Sequence, residues 1–404
     1  MDKKLAIQGA KALTPLGWLE EATVLIRAGR FESVGSAAAP SDYPTFSAVG
    51  LHLLPGLVDI HGDAFERMIC PRPGVTFPLE IALVENDRAL LSAGVTTFYY
   101  SITDSFEPGL RSREMARQMI LAVETDLKSH LKADSRIHIR HEQANTHQFE
   151  ELCDWIRQGD IQLVSLNDHL PPTMDSETLD RYTQGLRQRI KLPESEIRQL
   201  FEAAFERQDL GQEQTQKLVQ CAHACNIPLA SHDDETSEDV ALSLARGVAI
   251  AEFPAKIDFA AQHRQHGVAV LMGAPNLLRG GSHVGYMGVA EAAKAQVVDC
   301  LCSDYHYPSL LHAPFKLADM GLMPFENAWR LVSTHPARAA RIDHQKGAIA
   351  PGLDADFLLM DLSLPPSVAL KAAYVSSHAK LITNSFPNPV STFSTCFFRL
   401  RQFS

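Results

Sequence analysis

The sequence predicts an α/β protein built on a (β/α)8 barrel, with a small β unit contributed by both ends of the chain. Three observations carry this. Eight short apolar runs alternate with longer amphipathic segments over about 290 residues, the pattern of parallel strands joined by crossover helices. β-rich texture punctuated by Gly and Pro stands before and after that region. Imidazoles and carboxylates follow one apolar run after another, which is where a barrel keeps its chemistry.

Residues 1–54 read as short strands and turns: "KLAIQGAKAL", "ATVLIRAGRFESVG" and "TFSAVGLHLLPG". No helical period longer than two turns interrupts them. From Leu57 the texture changes. The apolar runs are 57–60, 95–100, 137–141, 161–166, 227–230, 248–253, 268–272 and 297–302. Helical stretches lie between them at 79–92, 111–131, 196–224, 237–245 and 287–296. The polar interruption at 171–195 is a candidate loop over the active site. After Gly347, "KGAIAPGLDADFLLMD" reads as a strand, a Gly turn and a second strand, and "AAYVSSHAKLI" as one more strand. The expected division is a barrel over 55–346 and a small β domain from 1–54 and 347–404. The stretch from "TNSFPNPV" to the last residue has no assignable pattern.

The 404 residues are 45% hydrophobic and 21% charged, ordinary for a soluble globular protein. The net charge of -11 argues against a general nucleic-acid or membrane binder. It leaves an anionic substrate open, because Arg, Lys and metal can reverse the field inside one cleft. Seven scattered cysteines, an odd number, point to a reducing compartment. "MDKKLAIQGAKALTP" has no signal-peptide core, and no window approaches 18 uninterrupted apolar residues. A cytoplasmic protein is expected.

The strand ends carry the chemistry. His61 and Asp63 follow the first run, Glu142 the third, and Asp168 and His169 the fourth. His232, Asp233 and Asp234 follow the fifth, "PNLLRGGSH" (275–283) the seventh, and Asp304, Tyr305 and His306 the eighth. Residues i and i+2 of a strand point the same way, so His61 and Asp63 can reach one ion. Histidine with carboxylate suits zinc and similar first-row metals. Three imidazoles and three carboxylates suffice for two ions roughly 3.5–4 Å apart that share a hydroxide. Taken singly, each residue has a plainer reading as a loop, packing or helix-capping group; in register at strand after strand, they converge. Cys221 and Cys225 are read as one face of a helix, and Cys300 and Cys302 as core. "RGGSH" supplies amides that approach an anion closely, with Arg279 for bidentate contacts. Arg72, in the Pro-flanked "PRPGVTFP", lies near the first strand end and is either aimed inward or a surface arginine.

These residues resemble the amidohydrolase superfamily, in "LPGLVDIHGDAFER" opening a barrel, later strand-end histidines and a last-strand Asp. The flanking β unit is similar to that superfamily's small sandwich domain. More narrowly, "HGDAFERMICPRPGVTFP", "RHEQ", "LNDHLP", "ASHDDET", "AEFP", "MGAPNLLRGGSH" and "CSDYHYPSLL" resemble the α-D-ribose 1-methylphosphonate 5-triphosphate diphosphatases. The resemblance implies His61, Asp63, Glu142, His169, His232 and Asp304 as metal ligands, with Asp304 also handling the catalytic proton. Glu142 takes the place of the carboxylated lysine of many relatives. Arg72, Asn276, Arg279, Gly280, Gly281 and His283 are the expected substrate contacts. One or two divalent ions are implied, zinc first, with manganese and iron as the other candidates. The implied partner is a small phosphorylated ribose phosphonate, cut to pyrophosphate and the 5-phosphate, and a homo-oligomer is implied. Departures at "LPPTMDSETLDRY" and "VGYMG" fall where substrate is read. Two alternatives therefore stay open: a C–N hydrolase such as a deaminase or cyclic amidase, and a barrel that has lost turnover.

Overall fold

A computed structural model describes residues 3–187, 190–281, 285–376 and 380–383. Eight parallel strands form one sheet in sequence order: Leu57–Gly62, Val95–Asp104, Asp134–Glu142, Leu163–Asn167, Leu229–His232, Ile250–Glu252, Ala269–Gly273 and Cys300–Cys302. Each of the eight expected runs carries one strand. Such strands are covered on both faces and so read as nearly continuous apolar runs; Val95–Asp104 is buried along its whole length. Inside the barrel, Val58, Ile60, Tyr99, Leu163, Ala230, Ile250, Leu271, Cys300 and Cys302 form one cluster. A second, larger cluster lies between strands and helices, as the Leu, Val and Phe positions of both demand.

Helices Leu79–Ser92 and Ser237–Ala245 match their expected bounds. The latter starts on a capping box, Thr236 accepting from the Asp239 amide while Asp239 returns the bond. The stretch expected as one helix over 111–131 becomes Arg113–Leu121 followed by a π-helical turn, Ala122–Asp126. The polar interruption is also helical: Ser176–Arg187 and Glu194–Phe205 bury Leu179, Leu186, Ile197 and Phe201 against Leu170 and Ala144. Its apolar residues recur at helical spacing, and the charges between them face solvent.

The two ends of the chain share one mixed eight-stranded sheet. Its order is Lys380–Thr383, Leu370–Val375, Phe357–Met360, His52–Pro55, Lys4–Thr14, Gly17–Arg27 and Arg30–Gly35, with Thr45–Ser47 beside Lys4–Thr14. It encloses its own core of Ile7, Val24, Ile26, Phe31, Leu53, Phe357, Leu359 and Tyr374. Two details differ from expectation. "KGAIAP" is a turn rather than a strand, because Gly347 sits at φ +90 with Ala337 Cβ 2.6 Å from where its own Cβ would lie. "AAYVSSHAKLI" is two antiparallel strands rather than one. The unassigned stretch beyond 383 lies outside the described residues. The six described cysteines are free thiols. Among the described residues no helix is long and apolar enough to cross a membrane.

Barrel and terminal sheet meet at Lys346. Its buried ammonium lies 2.7 Å from Asp356, 3.1 Å from Asp354 and 3.3 Å from Asp134, the residue that opens the third barrel strand. Burial pulls the Lys346 pKa down, but the three carboxylates more than offset it and hold the charge. Removing one partner of a buried ionic cluster strands the others. Lys346→Met is expected to cost on the order of 3–5 kcal/mol, read as a lower urea midpoint. Lys346→Arg keeps the charge and is expected to lose less.

Candidate metal centre

The first barrel strand sets the floor of the site. Val58 and Ile60 pack inside the barrel, so simple alternation would turn His61 toward the outer helices. The register with the second strand breaks between Asp59 and Gly62. Such a break re-aims a side chain, and His61 turns into the lumen, Nδ1 2.9 Å from Glu252 Oε1 on the sixth strand. Only glycine fits at position 62: a Cβ there would lie 2.5 Å from the Phe98 ring and 2.9 Å from Ser303 Oγ. The barrel closes at the same place. The Asp304 amide donates to His61 O and the Asp63 amide to Asp304 O, both at 3.0 Å.

The third strand sends His138, Arg140 and Glu142 into the lumen at alternate positions, rising about 6–7 Å per step toward the mouth. His138 is fully buried, with Nδ1 3.1 Å from Ile60 O and Nε2 3.8 Å from Glu252 Oε1. Arg140 reaches Asp63 Oδ2 at 3.3 Å and His232 Nε2 at 3.2 Å. Glu142 Oε1 lies 2.5 Å from His169 Nδ1, and its Oε2 accepts from the His169 amide at 3.2 Å. His232 Nδ1 lies 3.1 Å from the second oxygen of Glu252. The His61 and His232 rings are nearly parallel, 5.6 Å apart with 12° between their planes.

The six side chains with implied metal roles, His61, Asp63, Glu142, His169, His232 and Asp304, line one cavity of about 530 Å³ at the C-terminal mouth of the barrel. His169, His232 and Asp233 bring ligand atoms within 4.8 Å of one another, as do His61, His138 and Glu252 below them. Burial, with Arg140 assisting, depresses the His61 imidazole to about 3 and holds His232 well below the ordinary range. These imidazoles are therefore neutral, the form that binds metal. Burial and then Asp63 push Asp304 up to about 7, and burial pushes Asp233 up to about 6. Burial also acts upward on Glu142, but His169 overcomes it and holds the carboxyl down; Glu142 in turn raises His169. Crowded carboxylates beside neutral imidazoles form a donor set short of positive charge, and a divalent cation fits it.

Three residues at this rim, Asp233, Phe253 and Asp304, have left-handed backbones at φ 55, 55 and 53. Each is cavity-lining, and strained non-glycine residues cluster at functional sites.

Of the expected substrate contacts, Asn276 lines the cavity. Arg72 does not: it is exposed in a tight bend bridged to Val75. The "PNLLR" stretch folds as a short helix, Ala274–Arg279, which carries Arg279 away from the lining, onto Tyr305 OH at 2.9 Å. Gly280, at φ 87, caps that helix, and neither it nor Gly281 lines the cavity. His283 lies outside the described residues. The lining arginines are Arg111, Arg140 and Arg181 instead. Arg111 is fastened by Glu66 through bonds of 3.1 and 2.9 Å, and Arg181 comes from the helix Ser176–Arg187 over the mouth.

Sequence reasoning passed over Glu252, His138 and Arg140, and the signals for them were available. Glu252, in "AEFP", ends the strand that the sixth apolar run forms. His138 and Arg140 share the face of Glu142 at i-4 and i-2.

The amidohydrolase family model matches residues 52–392. The chain is 33% identical over 320 residues to the α-D-ribose 1-methylphosphonate 5-triphosphate diphosphatase of Escherichia coli K12, covering 76% of this chain and 82% of that one. It is 24% identical over 386 residues to an imidazolonepropionase of Klebsiella pneumoniae, covering 90% and 91%. Molinate hydrolase superposes with a TM-score of 0.63 at 13% identity, over 97% of this chain and 99% of that one. N-acetyl-D-glucosamine-6-phosphate deacetylase from Mycobacterium smegmatis superposes with 0.58 at 14%, over 94% and 99%. Both structural likenesses bear on the fold alone.

The donor set makes a direct demand on composition. Purified protein is expected to carry at least one equivalent of a first-row divalent metal by elemental analysis, and His169→Ala and His232→Ala are each expected to carry less. Metal-free protein with undiminished hydrolysis would overturn the assignment of this centre.

Proposed function

This chain belongs to the amidohydrolase family, and from that premise we infer that it is a metal-dependent diphosphatase. Its substrate in this reading is a 5-triphosphorylated ribose phosphonate, cut to pyrophosphate and the 5-phosphate. The observation that carries the reading is the 33% identity to the Escherichia coli diphosphatase across most of both chains. The cavity of about 530 Å³ is compatible with it, since Arg111, Arg140 and Arg181 line it beside the carboxylates Asp63, Glu107, Glu142, Asp233 and Asp304. Those arginines offer phosphate contacts, and a divalent cation among the carboxylates would add the positive charge that polyphosphate binding calls for.

His61, Asp63, Glu142, His169, His232 and Asp304 are the residues that would hold the metal. A bound divalent ion supplies a more acidic water and a polarised phosphoryl oxygen. The protein's own groups do the rest. Asp304, with its carboxyl displaced toward neutrality by burial and Asp63, accepts the proton of the attacking water. As the new P–O bond forms, the bridging P–O bond breaks and pyrophosphate leaves. Arg140 at the floor and Arg111 at the wall orient the phosphates and balance charge on the non-bridging oxygens. Arg181 and Tyr182, on the helix above, exclude water and hold the distal end.

A second reading, hydrolysis of a C–N bond, draws on the 24% identity to imidazolonepropionase over 90% of the chain. There the same water attacks a trigonal carbon. The two readings separate in one assay: pyrophosphate release from triphosphorylated ribosides, run beside ring opening and ammonia release from cyclic amides and nucleobases. Ring opening or ammonia without pyrophosphate would decide for the second.

Two variants follow. Asp304→Asn is expected to lower kcat by about 10²–10⁴, the usual weight of one general base, and unchanged turnover would remove Asp304 from the mechanism. Arg181→Gln is expected to raise KM for a triphosphate substrate about tenfold, the scale of one charge-assisted contact, with kcat little changed.

A further inference from the structure

Glu252 lies on the sixth barrel strand with no exposure to solvent, and it does not line the cavity. Its two oxygens are divided between two imidazoles, Oε1 at 2.9 Å from His61 Nδ1 and Oε2 at 3.1 Å from His232 Nδ1. The geometry points to Glu252 as a positioning residue: one carboxylate that fixes both histidines in the tautomer that turns Nε2 toward the metal, without being a ligand itself.

The argument runs through donors and acceptors. A carboxylate accepts and an imidazole N–H donates, so each Nδ1 carries a proton. At His232 a second bond agrees independently. Arg140 Nη2 lies 3.2 Å from His232 Nε2, and a guanidinium has only protons to give, so that nitrogen offers its lone pair. His61, with Nδ1 engaged, has Nε2 left to present to the cavity it lines. The two rings are held nearly parallel, at 12°, and Phe253 packs edge-on against both, with centroids at 4.9 and 5.4 Å. A shared acceptor below and a shared aromatic wall beside leave the pair little freedom to rotate.

The competing arrangement makes Glu252 itself a ligand, with His61 and His138. His138 is compatible with either arrangement, since a proton on Nδ1 leaves a lone pair on Nε2. Its Nδ1 lies 3.1 Å from a carbonyl, Ile60 O, which only accepts. Its Nε2 lies 3.8 Å from Glu252 Oε1, too long for a hydrogen bond, and has no partner. What weighs against that arrangement is position: neither His138 nor Glu252 lines the cavity, and an ion there would replace the bond between His61 and Glu252. Carboxylates behind metal-bound histidines fix ring orientation and raise ligand basicity, and their loss typically weakens metal binding about 10–100-fold.

This inference rests on the metal-centre reading but not on the substrate, and its test uses neither turnover nor a nucleotide. Zinc affinity is measured by chelator competition in the full chain and in Glu252→Gln, with unfolding curves to show that the variant folds. The expected result is an affinity about 10–100-fold lower with the zinc stoichiometry at saturation unchanged. Unchanged affinity, or the loss of one whole equivalent, would overturn it, the second by making Glu252 a ligand. A second measurement needs no variant. Side-chain nitrogen NMR of metal-stripped wild-type protein, labelled at histidine, should show His61 and His232 protonated at Nδ1. Finding either protonated at Nε2 would overturn the clamp even where zinc still binds, whereas correct tautomers with no zinc binding would leave the clamp standing and remove the metal centre.

Discussion

The seam where the last barrel strand meets the first governs both fold and site. Asp304 and His61–Asp63 are about as far apart in sequence as the barrel allows, yet two backbone hydrogen bonds of 3.0 Å make them neighbours. The last strand, Cys300–Cys302, is only three residues long and brings little pairing of its own. The side chain of Asp59 reinforces the join, its Oδ1 accepting from the Ser303 amide at 3.1 Å. That carboxylate is fully buried, and burial pushes it up to about 7. A parallel sheet can close only by matching its two edges, and here the matching edges carry half of the implied ligands. Loosening the seam therefore loosens the centre as well.

The same economy appears around the rim. Asp233, Phe253 and Asp304 each make one last inter-strand bond: to Glu252 O at 2.9 Å, Leu271 O at 2.9 Å and His61 O at 3.0 Å. Each then turns into the left-handed region. That conformation costs a non-glycine residue about 1–2 kcal/mol, so the ladder bond and the surrounding packing must hold it. What the strain achieves is abrupt termination. The strand stops within one residue, and the side chain is left at the edge of the cavity instead of continuing along the barrel wall.

The barrel was legible because its strands are buried on both faces, so their apolar runs stand out against amphipathic helices. That the six residues with implied metal roles share one cavity was legible for a related reason, since a polar residue that ends such a run has few places to go but the mouth. What stayed hidden depended on local geometry. The inward turn of His61 requires a register break, which no residue pattern announces. "PNLLR", ahead of the expected "RGGSH" loop, forms a short helix that carries Arg279 away from the cavity lined by Arg111 and Arg181. "KGAIAP" lost its strand to a glycine turn packed on Ala337. Glu252 was hidden differently: it obeys the strand-end rule, but its partners are histidines distant in sequence, so its role emerges only when the barrel closes.

The placement of the three cavity arginines bears on the shape of what binds there. Arg140 is buried at the floor and tied to Asp63 and His232. Arg111 stands at the wall, held in a fork by Glu66. Arg181 is exposed on a helix above and rests on the Tyr182 ring, 5.7 Å from its centroid. The arginines therefore run from a buried, paired floor to an exposed helix at the mouth. A compact monoanion would be satisfied by one of these groups and leave the others facing water. An extended polyanion meets them in turn, with Arg140 at the end where the imidazoles and carboxylates converge. In the proposed diphosphatase reading such a substrate would lie lengthwise, with the bond to be broken near Asp304 and the remaining phosphates toward the helix that carries Arg181.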